Sequence, residues 1–243
     1  MHILKRLPLK KSTIVFLIIL LVLILDQALK IYVKLNIPYQ GGFNILGFTK
    51  AKIFFIENKG MAFGMSLGGD YGKLILSLFR IVMIGFLFYL LNELQRSKQS
   101  LGLMISFGLI IAGAIGNMID SAFYGLIFSE SPYHSTQLAT FMPEGGGYAP
   151  FLHGKVVDMF YFPLFETTWP SWIPKLGGTT FQFFRPVFNI ADSAITVGVF
   201  SIILFHRSFF KAESKVKEES QEKSAIDDPV ADQSVTEGIV PNS

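Results

Sequence analysis

The chain has 243 residues, 51% of them hydrophobic, with 21 Lys+Arg against 18 Asp+Glu for a formal net charge of +3. Mean hydropathy is +0.46, high for a soluble domain, whose polar surface must cover its core. Cysteine is absent, which excludes disulfides, thiol nucleophiles and cysteine metal sites together.

Four stretches, residues 13–33, 74–91, 101–119 and 187–206, approach the ~20 apolar residues needed to cross a bilayer. They predict a polytopic α-helical membrane protein. Lys5, Arg6, Lys10 and Lys11 precede the first segment as they would in a signal peptide. No small-x-small cleavage site follows, and apolar character resumes after Asp26-Gln27, so an uncleaved first membrane helix is expected.

The basic residues cluster near segment ends and read as topology signals, not as a nucleic-acid surface. By the positive-inside tendency, residues 1–12 form a cytoplasmic N-terminus and four crossings return the C-terminus to the same side. The connection 92–100, with Arg96 and Lys98, is cytoplasmic too, which leaves segments of about 34–73 and 121–186 on the external side.

In the first external segment, residues 43–48 and 52–56 alternate like short strands, and the glycine-punctuated stretch 60–72 suits a helix lying along the membrane surface. In the second, residues 129–150 are rich in Ser, Pro, Gly and Thr and read as a mobile loop, with a strand at 156–164. The expected architecture is a four-helix membrane domain, 13–206, with a small external β-rich cradle and a surface helix. Residues 207–243 are expected to be a disordered cytoplasmic tail.

Polar residues inside such a chain are costly and therefore informative. Asp158, in Val156-Val157-Asp158-Met159, and Asp192, in Phe188-Asn189-Ile190-Ala191-Asp192, fall in strongly apolar surroundings. Two carboxylates that converge there suit water-activating acid/base chemistry. Gly113, Gly116, Asn117 and Asp120 share one face of the third helix. That face serves either a substrate or a neighbouring helix, since the glycines permit close approach in both cases. Asn189, Asp192 and Thr196 fall near one face of the fourth helix, and Asp26 and Lys30 are i,i+4 partners suited to a structural ion pair.

Gly64-Met65-Ser66-Leu67-Gly68 matches the nucleophile-elbow pattern, but that elbow needs a buried strand, a following helix and a partnered histidine. The chain has four histidines: His2 and His206 near the cytoplasmic side, His134 in the loop-like insert, and His153. No H-E-x-x-H occurs, so a zincin is excluded by pattern.

Five blocks in order resemble lipoprotein signal peptidase (signal peptidase II), a family of bacterial inner-membrane aspartic peptidases. Asp26-Gln27-Ala28-Leu29-Lys30 is similar to D-Q-x-x-K, and Glu57-Asn58-Lys59-Gly60-Met61-Ala62-Phe63-Gly64 to E-N-x-G-A-A-F-G. Gly113-Ala114-Ile115-Gly116-Asn117-Met118-Ile119-Asp120 is similar to G-x-x-G-N-x-x-D. The two aspartate blocks resemble V-V-D-F and F-N-x-A-D. The resemblance covers roughly residues 14–206.

It implies that Asp158 and Asp192 are the catalytic pair, near the external membrane face, that Asn58, Gly113, Asn117 and Asn189 bind substrate, and that Asp26, Lys30 and Asp120 support them. The implied substrate is a prolipoprotein whose cysteine already carries diacylglycerol, cut just before that cysteine. Membrane lipids are further partners, a monomer is expected, and the chemistry needs no metal or organic cofactor.

Two departures stand out. The family's third block usually continues with arginine, where this chain has Ser121; Arg185 is a candidate replacement. The stretches 129–150 and 167–185 are longer than expected. The alternatives are a small ion-coupled transporter, since intramembrane Asp and Asn also build ion pathways, and a non-enzymatic assembly factor.

Overall fold

The computed structural model describes residues 9–58, 69–133 and 135–207, without the side chains of residues 69 and 70. The surface segment at 60–68, the Gly64–Gly68 pattern, His134, the first eight residues and the tail from residue 208 lie outside the described residues. Contacts divide the chain into two units, Met1–Ile202 and Ile203–Ser243. All candidate site residues belong to the first.

Helix α1, Lys11–Asn36, is an uninterrupted run without glycine or proline. It ends as Ile37 N–H bonds Val33 O at 3.0 Å, just before Pro38, whose ring disfavours helical geometry at the residue before it. Its buried positions Val15, Ile19, Asp26, Lys30, Val33 and Lys34 form one stripe, so ionised side chains share the packed face with the apolar ones. Lys34, expected to begin the first external segment, is instead buried in the last turn of α1.

Helix α2 spans Gly69–Arg96, longer at both ends than the apolar stretch 74–91, so residues 69–72 are helical. Helix α3, Leu101–Ile119, starts at an N-cap, Ser100, whose side chain accepts from Leu103 N–H at 3.3 Å. Such a cap satisfies one of the helix's unpaired amides. Helix α3 packs against both α1 and α2. It continues through a π-helical turn, Asp120–Tyr124, and a short terminal turn, α4, Gly125–Ile127.

Strands β1 (Gly42–Asn44), β2 (Lys52–Asn58), β3 (Val156–Tyr161) and β6 (Val187–Phe188) make one antiparallel sheet in the order β1-β2-β3-β6. Strand β3 is covered on both sides. Val157 and Met159 enter a cluster with Val33, Ile37, Phe55, Tyr124 and Phe128, and alternation turns Asp158 to the opposite face. Strands β4 (Phe165–Thr168) and β5 (Thr180–Phe183) form a separate hairpin, which accounts for most of the long stretch 167–185.

The last helix, α5, is Ile190–Phe205 and has only 16 residues. The apolar stretch 187–206 therefore begins as strand β6, and the chain turns helical at the Asn189 cap. Among the described residues, three helices are long and apolar enough to cross a membrane: Lys11–Asn36, Tyr71–Arg96 and Leu101–Ile127.

The stretch 129–150 is not free chain. Ser129 N–H bonds Thr140 O at 3.0 Å, Met142 N–H bonds Ile127 O at 2.7 Å, and Ala149 N–H bonds Gly125 O at 3.0 Å. The last two bonds tie it back to α4.

Candidate active site

Pairing of β3 with β6, with Phe160 opposite Phe188, carries the start of α5 to the edge of the strand that bears Asp158. Asn189 caps α5 reciprocally. Its Oδ1 accepts from Asp192 N–H at 2.9 Å, and its own N–H donates to Asp192 Oδ2 at 3.3 Å. This is a capping box with aspartate at the third helical position, so Asp192 sits where the helix dipole favours negative charge.

The same asparagine joins the two aspartates. Asn189 Nδ2 donates to Asp158 Oδ1 at 2.7 Å and to Asn117 Oδ1 at 3.1 Å, while Asn117 Nδ2 donates to Asp192 Oδ1 at 2.8 Å. Asn58, at the end of β2, also hydrogen-bonds Asp158. Burial, then the neighbouring Asp192 charge, push the Asp158 carboxyl up to about 7. Burial disfavours the charged form, and a like charge adds to the effect.

Beneath the pair lies a buried ionic network. Lys30 Nζ is 2.9 Å from each of Asp26 Oδ2, Asp120 Oδ2 and Asn117 Oδ1. Asp26 Oδ1 accepts from Ala191 N–H at 2.8 Å, tying α1 to the first turn of α5. Asp120 Oδ2 accepts from Val157 N–H at 3.1 Å, fixing the residue next to Asp158. Gln27, unassigned from sequence, donates to Asp120 Oδ1 at 3.0 Å and accepts from Tyr124 OH at 3.1 Å. The D-Q-x-x-K block thus organises α1, α3, β3 and α5 around one ammonium.

Gly113 and Gly116 allow this approach. A Cβ on Gly113 would stand 2.2 Å from Ala191 O, and one on Gly116 would stand 2.7 Å from Asp26 Oδ2. Gly113 therefore lies at the crossing of α3 with α5. Thr196 bonds the Asp192 carbonyl at 2.8 Å and is not joined to the carboxylates.

Arg185 is exposed and takes no part in this network. The cation at Ser121 is Arg80, from α2, whose Nη1 donates to Ser121 Oγ at 3.1 Å. It interacts electrostatically with Asp192, Asp120 and Asp158. Arg80 is an arginine inside an apolar segment, so the reasoning that singled out the aspartates would have found it.

A second cluster was also missed. Lys34 pairs with Glu57 and donates to Ser131 Oγ at 3.0 Å, and Lys155 Nζ lies 3.3 Å from Glu57 Oε2. It pins the 129–150 stretch to β2 directly beside Asn58. A cavity of about 450 Å³ lined by Lys50, Lys52, Tyr161, Glu166 and Gln182, among others, contains none of the carboxylates described above.

Spanning helices closing on one buried and one half-buried aspartate, linked through asparagines, suit a membrane-embedded protein of aspartic-peptidase class. Residues 18–209 match the family model for signal peptidase (SPase) II, and the chain belongs to that family. A lipoprotein signal peptidase of Porphyromonas gingivalis is 49% identical over 83% of this chain and 85% of its own length. That of Amoebophilus asiaticus is 36% identical over 79% and 76%, and that of Pelodictyon phaeoclathratiforme 31% identical over 82% and 93%. In fold, the chain resembles two solved bacterial membrane enzyme structures. One has a TM-score of 0.51 at 23% identity, covering 84% of this chain and 91% of that one. The other scores 0.52 at 24% identity, covering 79% and 91%. Nothing in these comparisons supports the transporter alternative.

Proposed function

We propose that this protein removes the signal peptide from diacylglyceryl-modified prolipoproteins, cutting before the lipidated cysteine with Asp158 and Asp192 as catalytic pair. The supporting observation is the hydrogen-bonded relay Asp158–Asn189–Asn117–Asp192, which links carboxylates from β3 and α5.

Two close carboxylates share one proton near neutrality, because they cannot both ionise cheaply. Asp158, more deeply buried and pushed up to about 7, holds that proton. Asp192, held by two N–H donors at a helix N-terminus, takes the proton from water. The resulting hydroxide attacks the scissile carbonyl while Asp158 hydrogen-bonds its oxygen. Asp158 then helps protonate the leaving amine, which becomes the new N-terminus of the lipidated cysteine. The pair titrates as a unit throughout.

Asn58, Asn117 and Asn189 offer uncharged amide groups to an extended substrate, and Gly113 keeps α5 close enough to complete the pocket. Asp26, Lys30 and Asp120 hold the scaffold. An apolar groove of about 220 Å³ between α2 and α3, lined in part by Ile81, Ile115, Met118 and Phe123, suits an acyl chain. Since the lipid is embedded before and after binding, its contribution is mainly positional.

In this reading α5 makes the fourth crossing, residues 13–206 form the peptidase domain, and both termini are cytoplasmic with the pocket near the external face. The protein acts as a monomer in the bacterial inner membrane. Mass spectrometry of a diacylglyceryl prolipoprotein incubated with purified protein tests the reaction. The expected product begins with the lipidated cysteine; an intact substrate, or a cut elsewhere, contradicts it.

A further inference from the structure

Arg80 lies three turns into α2, about 16 Å along the axis from Gly69 at 1.5 Å per residue. An arginine at that depth of an apolar helix is expensive and needs a compensating role. Its guanidinium meets Ser121 Oγ at 3.1 Å, and Ser121 Oγ in turn donates to Asn117 O at 3.1 Å. Asn117 is the residue whose amide holds Asp192. Ser121 is 1% exposed, so a larger side chain there would compete for the space that the guanidinium reaches.

We infer that Arg80 is a positioning residue for the Asp158–Asp192 pair, delivered from α2 and docked on Ser121, and that a small residue at 121 and the arginine at 80 form one unit. The cation stands where the resemblance led us to expect one from the residue after Asp120, but it arrives from a different helix. The inference rests on the peptidase reading only for its kinetic test.

The charged groups around the pair come from every packed element. Asp26 and Lys30 face it from α1, Asp120 from the end of α3, Asp158 from β3 and Asp192 from α5, with Arg80 from α2. Lys34, further along α1, acts on Asp120. Lys30 is already shared between two carboxylates. Lys30 also favours ionisation of Asp158, and Arg80 adds its charge to Asp192, Asp120 and Asp158. A cation there favours the ionised carboxylate, so its removal makes the Asp158 proton harder to lose.

The experiment is a pH profile of single-turnover cleavage for wild type, Arg80→Gln, Arg80→Lys, Ser121→Arg and the double variant Arg80→Ser/Ser121→Arg, each confirmed monodisperse in detergent. Arg80→Gln is expected to move the alkaline limb of the profile, set by the Asp158 proton, to higher pH and to lower the rate at every pH. Arg80→Lys keeps the charge and stays closer to wild type. Ser121→Arg crowds two guanidiniums and loses activity, and the double variant regains it by relocating the cation.

Infrared difference titration of the carboxyl groups, with Asp158→Asn for assignment, reads the same shift without substrate. A shifted infrared titration in a protein that cleaves no lipoprotein upholds the role of Arg80 and removes the peptidase reading alone. Coincident titrations of Arg80→Gln and wild type overturn the inference, as does a double variant no more active than Arg80→Gln.

Discussion

Asn189 holds Asp158 and Asp192 at once: its amide nitrogen meets Asp158 Oδ1 at 2.7 Å, while its carbonyl oxygen accepts the Asp192 backbone N–H at 2.9 Å. One side chain therefore caps α5 and sets the relation between two carboxylates that lie 34 positions apart in sequence. Asn189→Ala removes both functions. Loss of an N-cap costs about 1 kcal/mol, and the loosened pair is expected to lose about 10²-fold in kcat, the scale of a 1 Å misplacement. Thermal unfolding and steady-state cleavage measured together check this. A lowered Tm with unchanged kcat would show that Asn189 is only a cap.

The Asp158 carboxyl, pushed from 3.8 to about 7 mainly by burial and next by Asp192, has two consequences. Between those pH values the folded protein keeps a proton that the unfolded chain releases, so stability falls as pH rises through this window and levels off above it. Asp158→Asn cannot ionise. Its Tm is expected to exceed that of wild type at pH 8, with the gap closing toward pH 5; a gap independent of pH contradicts the assignment. Activity of the wild type should also decline above about pH 7, as the general acid loses its proton.

Lys30 neutralises two buried carboxylates, each at 2.9 Å. Lys30→Met removes the one ammonium that contacts both, and breaking a buried pair in this way costs about 3–5 kcal/mol. The variant is expected to melt far below wild type or fail to accumulate. Adding Asp120→Asn should restore part of the loss. A Lys30→Met protein as stable as wild type would remove the network from the account.

Gly113 faces backbone as well as a side chain: an added Cβ would lie 2.2 Å from Ala191 O and 2.6 Å from Ile195 Cγ1. Gly113→Ala must therefore push the first turn of α5 away and move Asp192 with it. Steady-state cleavage is expected to fall about 10²-fold. Full activity in Gly113→Ala would mean that the approach of α3 to α5 is not needed.

Much of this was legible in the sequence because cost is legible. Asp26, Lys30, Asp120, Asp158 and Asp192 stand out against apolar neighbours, and the i,i+4 spacing of Asp26 and Lys30 correctly indicates their contact. The start of α5 was not, because Val187-Phe188 is as apolar as the helix after it, and hydropathy does not separate a buried strand from a helix. Lys34 and Glu57 sit near segment ends, where charge is ordinary, and only the fold brings them together. The composition of 129–150 correctly indicates turns; its anchoring depends on backbone bonds to α4 that composition does not encode. Arg80 was readable by the rule applied to the aspartates, while its arrival at Ser121 depends on how α2 packs against α3.

The most direct test of the two-aspartate account is cleavage of a diacylglyceryl-modified prolipoprotein by purified wild type, Asp158→Asn and Asp192→Asn, followed by gel mobility. Wild type should cut before the lipidated cysteine, and each variant, folded and monodisperse, should be slower by at least about 10³-fold, within the range of general acid–base catalysis. Substantial cleavage by either variant would contradict the account.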